Sequence, residues 1–311
     1  MVLVAGSANL DFVVRAPHIP APGETVLGGA FQTFAGGKGA NQALACARAG
    51  GVATQMLLAL GEDAFAAPIE ASLRSAGVLL HTVRPSGVAT GTAFICVDAH
   101  GENAITVAPG ANACLQAAHL PPLRGFSHLL MQLEIPLATV AAYAHAAKAA
   151  DVRVVLNAAP AQALGPELLA AIDLLVVNEG ELRALAGDQG SVAECLARLP
   201  CPAVVVTLGA RGCVAREGDL FHAQTSFQVP VVDTTGAGDT FCGTLVAALA
   251  GQHSMSHALR QASAAAALAC TQMGAQSSVP HAADVAAFLI QAPRTDEAAA
   301  LQALRQFAGL P

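Results

Sequence analysis

The run Leu174-Leu175-Val176-Val177, followed by Ala203-Val204-Val205-Val206-Thr207 and preceded by a similar run at 152–156, decides the fold class. These short segments are apolar almost throughout and do not alternate with polar residues. A strand reads this way when helices cover both faces of its sheet. Residues 2–4 carry the same pattern at the start of the chain. Helical stretches rich in Ala and Leu occupy 41–49, 64–76, 137–150, 182–186, 192–199, 240–250 and 255–273. The last contains an almost pure alanine run, which favours helix and close packing. The alternation predicts an α/β fold, with a mostly parallel central sheet flanked by helices on both faces.

Two stretches break this rhythm. Residues 12–35 and 89–108 carry period-two patterns split by turn residues such as Ala21-Pro22-Gly23 and His100-Gly101-Glu102-Asn103. They predict a small antiparallel β-sheet inserted in the 1–311 domain as a lid. It would lie over the carboxyl ends of the parallel strands, where open α/β sheets bind ligands; an extension of the main sheet is the alternative. A tail at 294–311 follows Pro293 and reads as a short appended helix with Leu301, Leu304 and Phe307 at helical spacing.

Composition narrows the function. Among 311 residues, 54% are hydrophobic and 12% charged, which excludes intrinsic disorder. A net charge of −7 argues against nucleic acid as a partner. No apolar run has the length to span a bilayer, and the start Met1-Val2-Leu3-Val4 lacks a basic leader segment, so a cytoplasmic location without membrane partners is expected. The eight cysteines form no C-x-x-C pair and read as small buried residues. His253 and His257 stand four apart without a third ligand nearby and read as a polar loop or helix start.

The glycines carry the chemistry. The first strand runs into Gly6-Ser7-Ala8-Asn9-Leu10-Asp11, which lacks the dinucleotide fingerprint, and no Walker A loop is present. Gly36-Gly37-Lys38-Gly39-Ala40-Asn41-Gln42-Ala43 opens a helix, either as a mere structural start or as a place where backbone and a cation approach a ligand. Asp233-Thr234-Thr235-Gly236-Ala237-Gly238-Asp239-Thr240 is more telling. The N–H groups of Gly236, Ala237 and Gly238 can converge on one point at a helix start, which makes an anion hole. Asp239 beside it is either an N-cap or a base that takes a hydroxyl proton next to a transferring phosphoryl group.

At this separation the two glycine segments together resemble the signature pair of the ribokinase/PfkB family of sugar kinases. The likeness runs to about residue 293. It includes Pro22-Gly23-Glu24-Thr25, Gly101-Glu102-Asn103, Gly110-Ala111-Asn112, Gln132-Leu133-Glu134, Asn157-Ala158-Ala159-Pro160 and Asn178-Glu179-Gly180-Glu181. Thr207-Leu208-Gly209-Ala210-Arg211-Gly212 and Gly274-Ala275-Gln276-Ser277-Ser278-Val279-Pro280 belong to it as well.

The resemblance implies a ribokinase-like fold and ATP-dependent phosphorylation of a sugar CH2OH group, foremost the 5-hydroxyl of D-ribose. A fructokinase-like or nucleoside kinase is the alternative within the family, and a non-catalytic sugar or nucleotide sensor the alternative outside it. Asn9, Asp11, Gly37, Lys38, Asn41 and Glu134 would line the sugar pocket, with Asp239 as base and Gly236, Ala237 and Gly238 as anion hole. Asn178, Thr207, Gly209, Gly212, Gly238 and Ser263 would border the nucleotide. Glu181 would help to hold Mg2+, directly or through water, because that ion keeps its waters and binds few carboxylates. A K+ ion would take Asp233 by its side chain, Thr235, Ala269, Gln272 and Gly274 by carbonyls, and Ser278 by its hydroxyl. Phe94 and Ile95 on the lid would set the pocket size. Exposed lid edges paired across a two-fold axis predict a homodimer.

Overall fold

A computed structural model describes residues 1–100, 102–291 and 297–310. Gly101 in the expected turn and in the Gly101-Glu102-Asn103 motif, the Pro293 break, residues 294–296 of the tail and Pro311 lie outside the described residues.

The chain opens with β1 (Val2–Ala5), β2 (Asn9–Arg15), β3 (Phe31–Gly36), α1 (Lys38–Arg48), β4 (Thr54–Ala59), α2 (Ala66–Ser75) and β5 (Leu79–Val83). It continues through β6 (Gly91–Val97), β7 (Asn103–Ala108), β8 (His128–Met131), α3 (Leu137–Ala149), β9 (Arg153–Asn157), α4 (Pro166–Ala171) and β10 (Leu174–Asn178). Next come α5 (Glu179–Ala186), α6 (Val192–Arg198), β11 (Ala203–Thr207), β12 (Cys213–Glu217) and β13 (Leu220–Gln224). The helices α7 (Ala237–Ala250), α8 (Met255–Ala269), α9 (Ala282–Gln291) and α10 (Glu297–Ala308) complete it.

Nine strands form the main sheet in the order β13-β12-β11-β10-β9-β8-β1-β4-β5. From β11 to β5 every pairing is parallel, and only β12 and β13 run antiparallel at one edge. Val2 and Val4 point into one apolar cluster, Leu3 and Ala5 into the other. Helices on both faces therefore bury the strand completely, which is why its sequence is apolar without alternation.

The second sheet has the order β3-β2-β6-β7 and stands apart as a lid. The expectation of an antiparallel lid is corrected at its centre: β2 and β6 pair in parallel, Asn9 opposite Gly91 and Arg15 opposite Val97. Both strands rise from the main sheet in the same direction, and β3, α1, β4, α2 and β5 lie between them in the chain. The first lid strand begins at Asn9, and residues 16–30 contain no strand.

Helix α8 ends at Ala269, four residues short of the expected 273. The Cys270 carbonyl accepts the N–H groups of Val232 and Asp233 at 2.8 and 3.2 Å, which ties the end of α8 to the segment ahead of α7. Helices α1 and α7 pack closely because Gly243 has no side chain. A β carbon there would come within 2.6 Å of Ala45 Cβ and 2.5 Å of the Gln42 carbonyl. That contact draws the first turn of α7 onto α1. Among the described residues, no helix is long and apolar enough to cross a membrane.

The parallel strands deliver polar residues to one rim. Ser7 and Asn9 follow β1, Gln132 and Glu134 follow β8, and Asn157, Asn178 and Thr207 are the last residues of β9, β10 and β11. The carboxyl ends of parallel strands are where α/β sheets open for ligands.

Candidate active site

Two helix starts meet at this rim, and their free donors differ. At α1, the Lys38 N–H donates to Glu134 Oε2 at 3.1 Å, that of Gly39 to Ser7 Oγ at 3.2 Å, and that of Ala40 to the Ser7 carbonyl at 2.8 Å. Protein acceptors thus occupy these three donors of the first glycine segment. At α7, Gly236 takes the N-cap position with φ 75°, in the left-handed region, and offers no side-chain cap. A β carbon at Gly236 would lie 2.9 Å from Ala275 Cα, so glycine is required twice over. The Ala237 N–H donates to the Thr234 carbonyl at 3.2 Å. Among the described residues, the N–H groups of Gly236, Gly238 and Asp239 have no protein acceptor. Unsatisfied donors at the positive end of a helix dipole attract an anion.

Asp239 follows in the first turn of α7 and is buried. Its Oδ2 accepts from Asn41 Nδ2 and its Oδ1 from Gln42 Nε2, both at 2.9 Å. Gln42 also donates to Asn157 Oδ1 at 2.9 Å and accepts from Gln132 Nε2 at 2.6 Å. The carboxylate is therefore fixed by amides on α1 and is not serving as a helix cap. Asn41 Oδ1 is buried without a protein partner, as an acceptor aimed at a hydroxyl would be.

The remaining residues of the expected sugar pocket gather around this carboxylate. Asn9 Oδ1 accepts from Asn112 Nδ2 at 2.8 Å, and Asn112 also bonds both backbone groups of Ala8. Glu134 Oε2 accepts from Ser7 Oγ at 2.5 Å as well as from Lys38 N–H. The Gly37 carbonyl accepts the Asn41 N–H at 2.9 Å. Asp11 is buried, and this burial, helped by the charges of Glu134 and Asp239, pushes its pKa up to about 7. The Lys38 ammonium makes no ion pair within bonding distance among the described residues. Asp239 first, then Glu134 and Glu181, hold its pKa above the usual value against the effect of burial. One cation thus feels three carboxylates.

A cleft of about 310 Å³ leads away from Gly238 along Thr207, Gly209, Gly212 and Ser263, with Phe227, Phe241 and Ala266 on its apolar side. A smaller cavity of about 150 Å³ joins Lys38, Asn178, Glu181, Gly236, Gly238 and Asp239. Asn178 caps α5: its Oδ1 accepts the Glu181 N–H, and Glu181 Oε2 accepts the Asn178 N–H, each at 2.8 Å. Burial raises the Glu181 pKa, while the Asn178 N–H and Lys38 oppose it. Its second oxygen has no protein partner among the described residues, so the donor set fits a hydrated divalent cation held by few carboxylates.

Of the residues proposed for a monovalent cation, Asp233 binds two others. Its Oδ1 accepts from Thr235 N–H at 2.9 Å and Thr235 Oγ1 at 2.7 Å, and its Oδ2 from Gly274 N–H at 2.9 Å. Burial alone would raise its pKa, but these bonds and the nearby Arg15 bring it below the ordinary value. The Ala269 carbonyl accepts the Gln272 N–H at 3.2 Å, and the buried Ser278 hydroxyl donates to the Ala275 carbonyl at 3.3 Å. A single ionised carboxylate among neutral oxygens fits a monovalent rather than a divalent ion.

Of the two lid residues expected to set the pocket size, Ile95 lines the cleft under the lid, whereas Phe94 faces the other way and stacks on Phe12 at 5.4 Å. Neighbours in a strand point to opposite faces. Sequence reasoning missed the supporting roles of Ser7, Gln42, Asn112, Gln132 and Asn157. The signal at Gln42 was a polar side chain among the small and apolar residues of α1 that follow it, Ala43 to Ala47.

A family model described as pfkB family carbohydrate kinase matches residues 1–282. A ribokinase of Haemophilus influenzae is 39% identical over 298 residues, covering 92% of this chain and 97% of its own length. One from Bacillus subtilis is 37% identical over 284 residues, covering 90% and 96%. Among solved structures, ribokinase from Thermotoga maritima superposes with a TM-score of 0.85 at 35% identity, covering 93% of this chain and 99% of that one. Arabidopsis thaliana ribokinase complexed with ribose and ATP gives 0.84 at 34% identity, covering 93% and 98%.

Proposed function

The chain belongs to the pfkB family of carbohydrate kinases, and on that footing we propose that it transfers the γ-phosphoryl group of ATP to the CH2OH group of D-ribose, giving D-ribose 5-phosphate. The observation that carries this reading is the buried Asp239 carboxylate, clamped by Asn41 and Gln42 beside N–H donors that no protein acceptor satisfies.

Phosphoryl transfer asks for positioning, charge neutralisation and a group that receives the hydroxyl proton. Asp239 takes the proton from the sugar's 5-hydroxyl as that oxygen attacks the γ-phosphorus, and the bond from that phosphorus to the bridging oxygen breaks, so that ADP leaves. The free donors of Gly236, Gly238 and Asp239 hold the phosphoryl oxygens, and Lys38 offsets the charge that gathers there. Asn9, Asp11, Gly37, Lys38, Asn41 and Glu134 orient the sugar, with Asn41 Oδ1 receiving a hydroxyl. Ala237, whose N–H already serves Thr234, keeps the turn in shape.

The nucleotide lies along Thr207, Gly209, Gly212 and Ser263, with its phosphates toward Gly238 and Asn178. Mg2+, held through Glu181 and water, neutralises phosphate charge when bound. Asp233, Thr235, Ala269, Gln272, Gly274 and Ser278 would hold K+, which would stiffen the loop that leads into α7. We further assign the enzyme to the cytoplasm, in keeping with eight unpaired cysteines, and to a homodimer joined through the lid.

The test is a coupled ATP assay over pentoses, hexoses and nucleosides, with wild type and Asp239→Asn. D-Ribose should be the best acceptor. Asp239→Asn should lower kcat by about 10²- to 10⁴-fold while sugar affinity changes less. Binding of sugar and nucleotide without turnover on any acceptor would point to a sensor instead.

A further inference from the structure

Helix α10 follows the stretch that the family model matches, which ends at residue 282, yet it reaches the nucleotide side of the cleft. Leu304 and Ala308 are buried in the same apolar cluster as Val192 and Leu196 of α6. Gly309, at φ 69°, stops the helix, and the Leu310 N–H returns to the Arg305 carbonyl at 2.9 Å. This docking fixes Phe307, whose ring lies 4.2 Å from the Arg211 guanidinium.

Arg211 ends the short helical turn Gly209–Arg211 that forms one wall of the 310 Å³ cleft. Its guanidinium donates to Glu179 Oε2 at 2.5 Å. Glu179 is the first residue of α5, directly after Asn178 and two positions before Glu181. One guanidinium therefore ties the wall of the larger cleft to the rim of the smaller one. An exposed ion pair by itself contributes little, because solvent and side-chain freedom compete with it. A ring laid against the guanidinium restricts that freedom and adds a cation–π attraction.

We propose that α10 is a positioning element for the nucleotide. Phe307 holds Arg211 against Glu179 and so sets the spacing between the 207–212 turn and the start of α5, the two edges between which ATP lies. This rests on the kinase reading given above.

The experiment compares full-length wild type, Phe307→Ala, Phe307→Tyr, Arg211→Ala and the Phe307→Ala/Arg211→Ala double variant. ATP affinity is read by calorimetry, and KM for ATP and for D-ribose by turnover. Phe307→Ala should weaken ATP binding and raise its KM about 3- to 10-fold, with KM for ribose and kcat at saturating ATP held within about 2-fold. Phe307→Tyr should restore the wild-type values. The double variant should lose no more than Arg211→Ala alone, as expected of residues acting through one contact. Unchanged ATP affinity in Phe307→Ala, or a parallel loss of both KM values, kcat and thermal stability that Tyr does not rescue, would overturn the inference while leaving the kinase reading intact. A wild type that binds no nucleotide would overturn both.

Discussion

Gln42 Nε2 donates to Asp239 Oδ1 at 2.9 Å although 197 positions separate the two residues. The same amide group reaches Asn157, and its oxygen takes the Gln132 amide. Three strand-end and helix residues thereby lock one carboxylate in a single orientation. Gln42→Leu should remove one charge-assisted hydrogen bond from Asp239 and leave Gln132 and Asn157 short of partners. Bonds of that kind are worth about 1.5–3 kcal/mol, so kcat should fall roughly 10- to 100-fold. KM for the sugar should move less, since Asn41 still holds the other oxygen. Equal kcat in wild type and variant would show that Asn41 alone orients the carboxylate.

Asp11 gives the site a pH response. Its pKa of about 7 means that it gains a proton as the solution becomes mildly acidic, and in the proposed sugar pocket an acceptor for hydroxyls would be lost with the charge. KM for the sugar should therefore rise as pH falls from 8 to 6, and Asp11→Asn should flatten that limb while weakening binding at every pH. The stability effect runs the other way. With its folded pKa raised, Asp11 lowers stability at pH 8, where burial opposes its charge, and this cost fades as pH drops through 7. Asp11→Asn should consequently melt at a higher temperature than wild type at pH 8. A lower Tm there would contradict the assigned environment.

These two residues mark the limit of what the sequence discloses. The central strands β9, β10 and β11 were legible because burial on both faces demands unbroken apolar runs, and the glycine segments were legible because their residue types suit little else. Strand β4, Thr54–Ala59, was not: Met56, Leu57 and Leu58 suit a helix equally well, and its position between β1 and β5 decides the matter. Asp239 could be singled out from its neighbours in the chain. The polar network behind it could not, because Gln42, Gln132 and Asn157 converge only once the parallel sheet is assembled. The parallel pairing of β2 with β6 was hidden for the same reason, since two distant segments have no preferred relative direction until the crossover between them folds.

His128 predicts an acid limb in stability. It is buried at the start of β8 with Nε2 unpartnered, and its Nδ1 lies 3.0 Å from Ser127 Oγ. Burial, then Arg153 and the N-terminal ammonium, push its pKa down to about 4, while Asp173 opposes them. The unfolded chain accepts a proton near pH 6.5 that the folded chain refuses until about pH 4, so stability should decline across that window as pH falls. The full effect is at most about 3 kcal/mol. His128→Gln should lose less stability than wild type between pH 6.5 and 4 in urea titrations, and identical slopes would exclude His128 as the cause.

Asp233 couples the monovalent-cation proposal to the anion hole. Its carboxylate already joins Thr235 to Gly274, so a cation bound there would stiffen the segment that ends at Gly236. Replacing K+ by Na+ should slow turnover with little change in the sugar's KM. Asp233→Asn should abolish the difference between the two salts, because the only ionised oxygen of the set is gone. Equal wild-type rates in both salts would remove the cation from the mechanism.

The lid bears on assembly. Its edge strands β3 and β7 carry open backbone groups, and Phe31 and Phe94, on the face turned away from the cleft, are more than half exposed, at 61% and 54%. An apolar sheet with two free edges invites pairing with further chains unless something covers it. A second copy across a two-fold axis covers the same surface on both partners at once and closes the assembly. Static light scattering should therefore give the mass of a dimer at micromolar concentration. Phe94→Lys places a charge on the outer face, away from Ile95 and the cleft, and should shift the mass toward the monomer while the far-ultraviolet circular dichroism stays unchanged. A monomeric wild type would leave these side chains to solvent and refute the pairing.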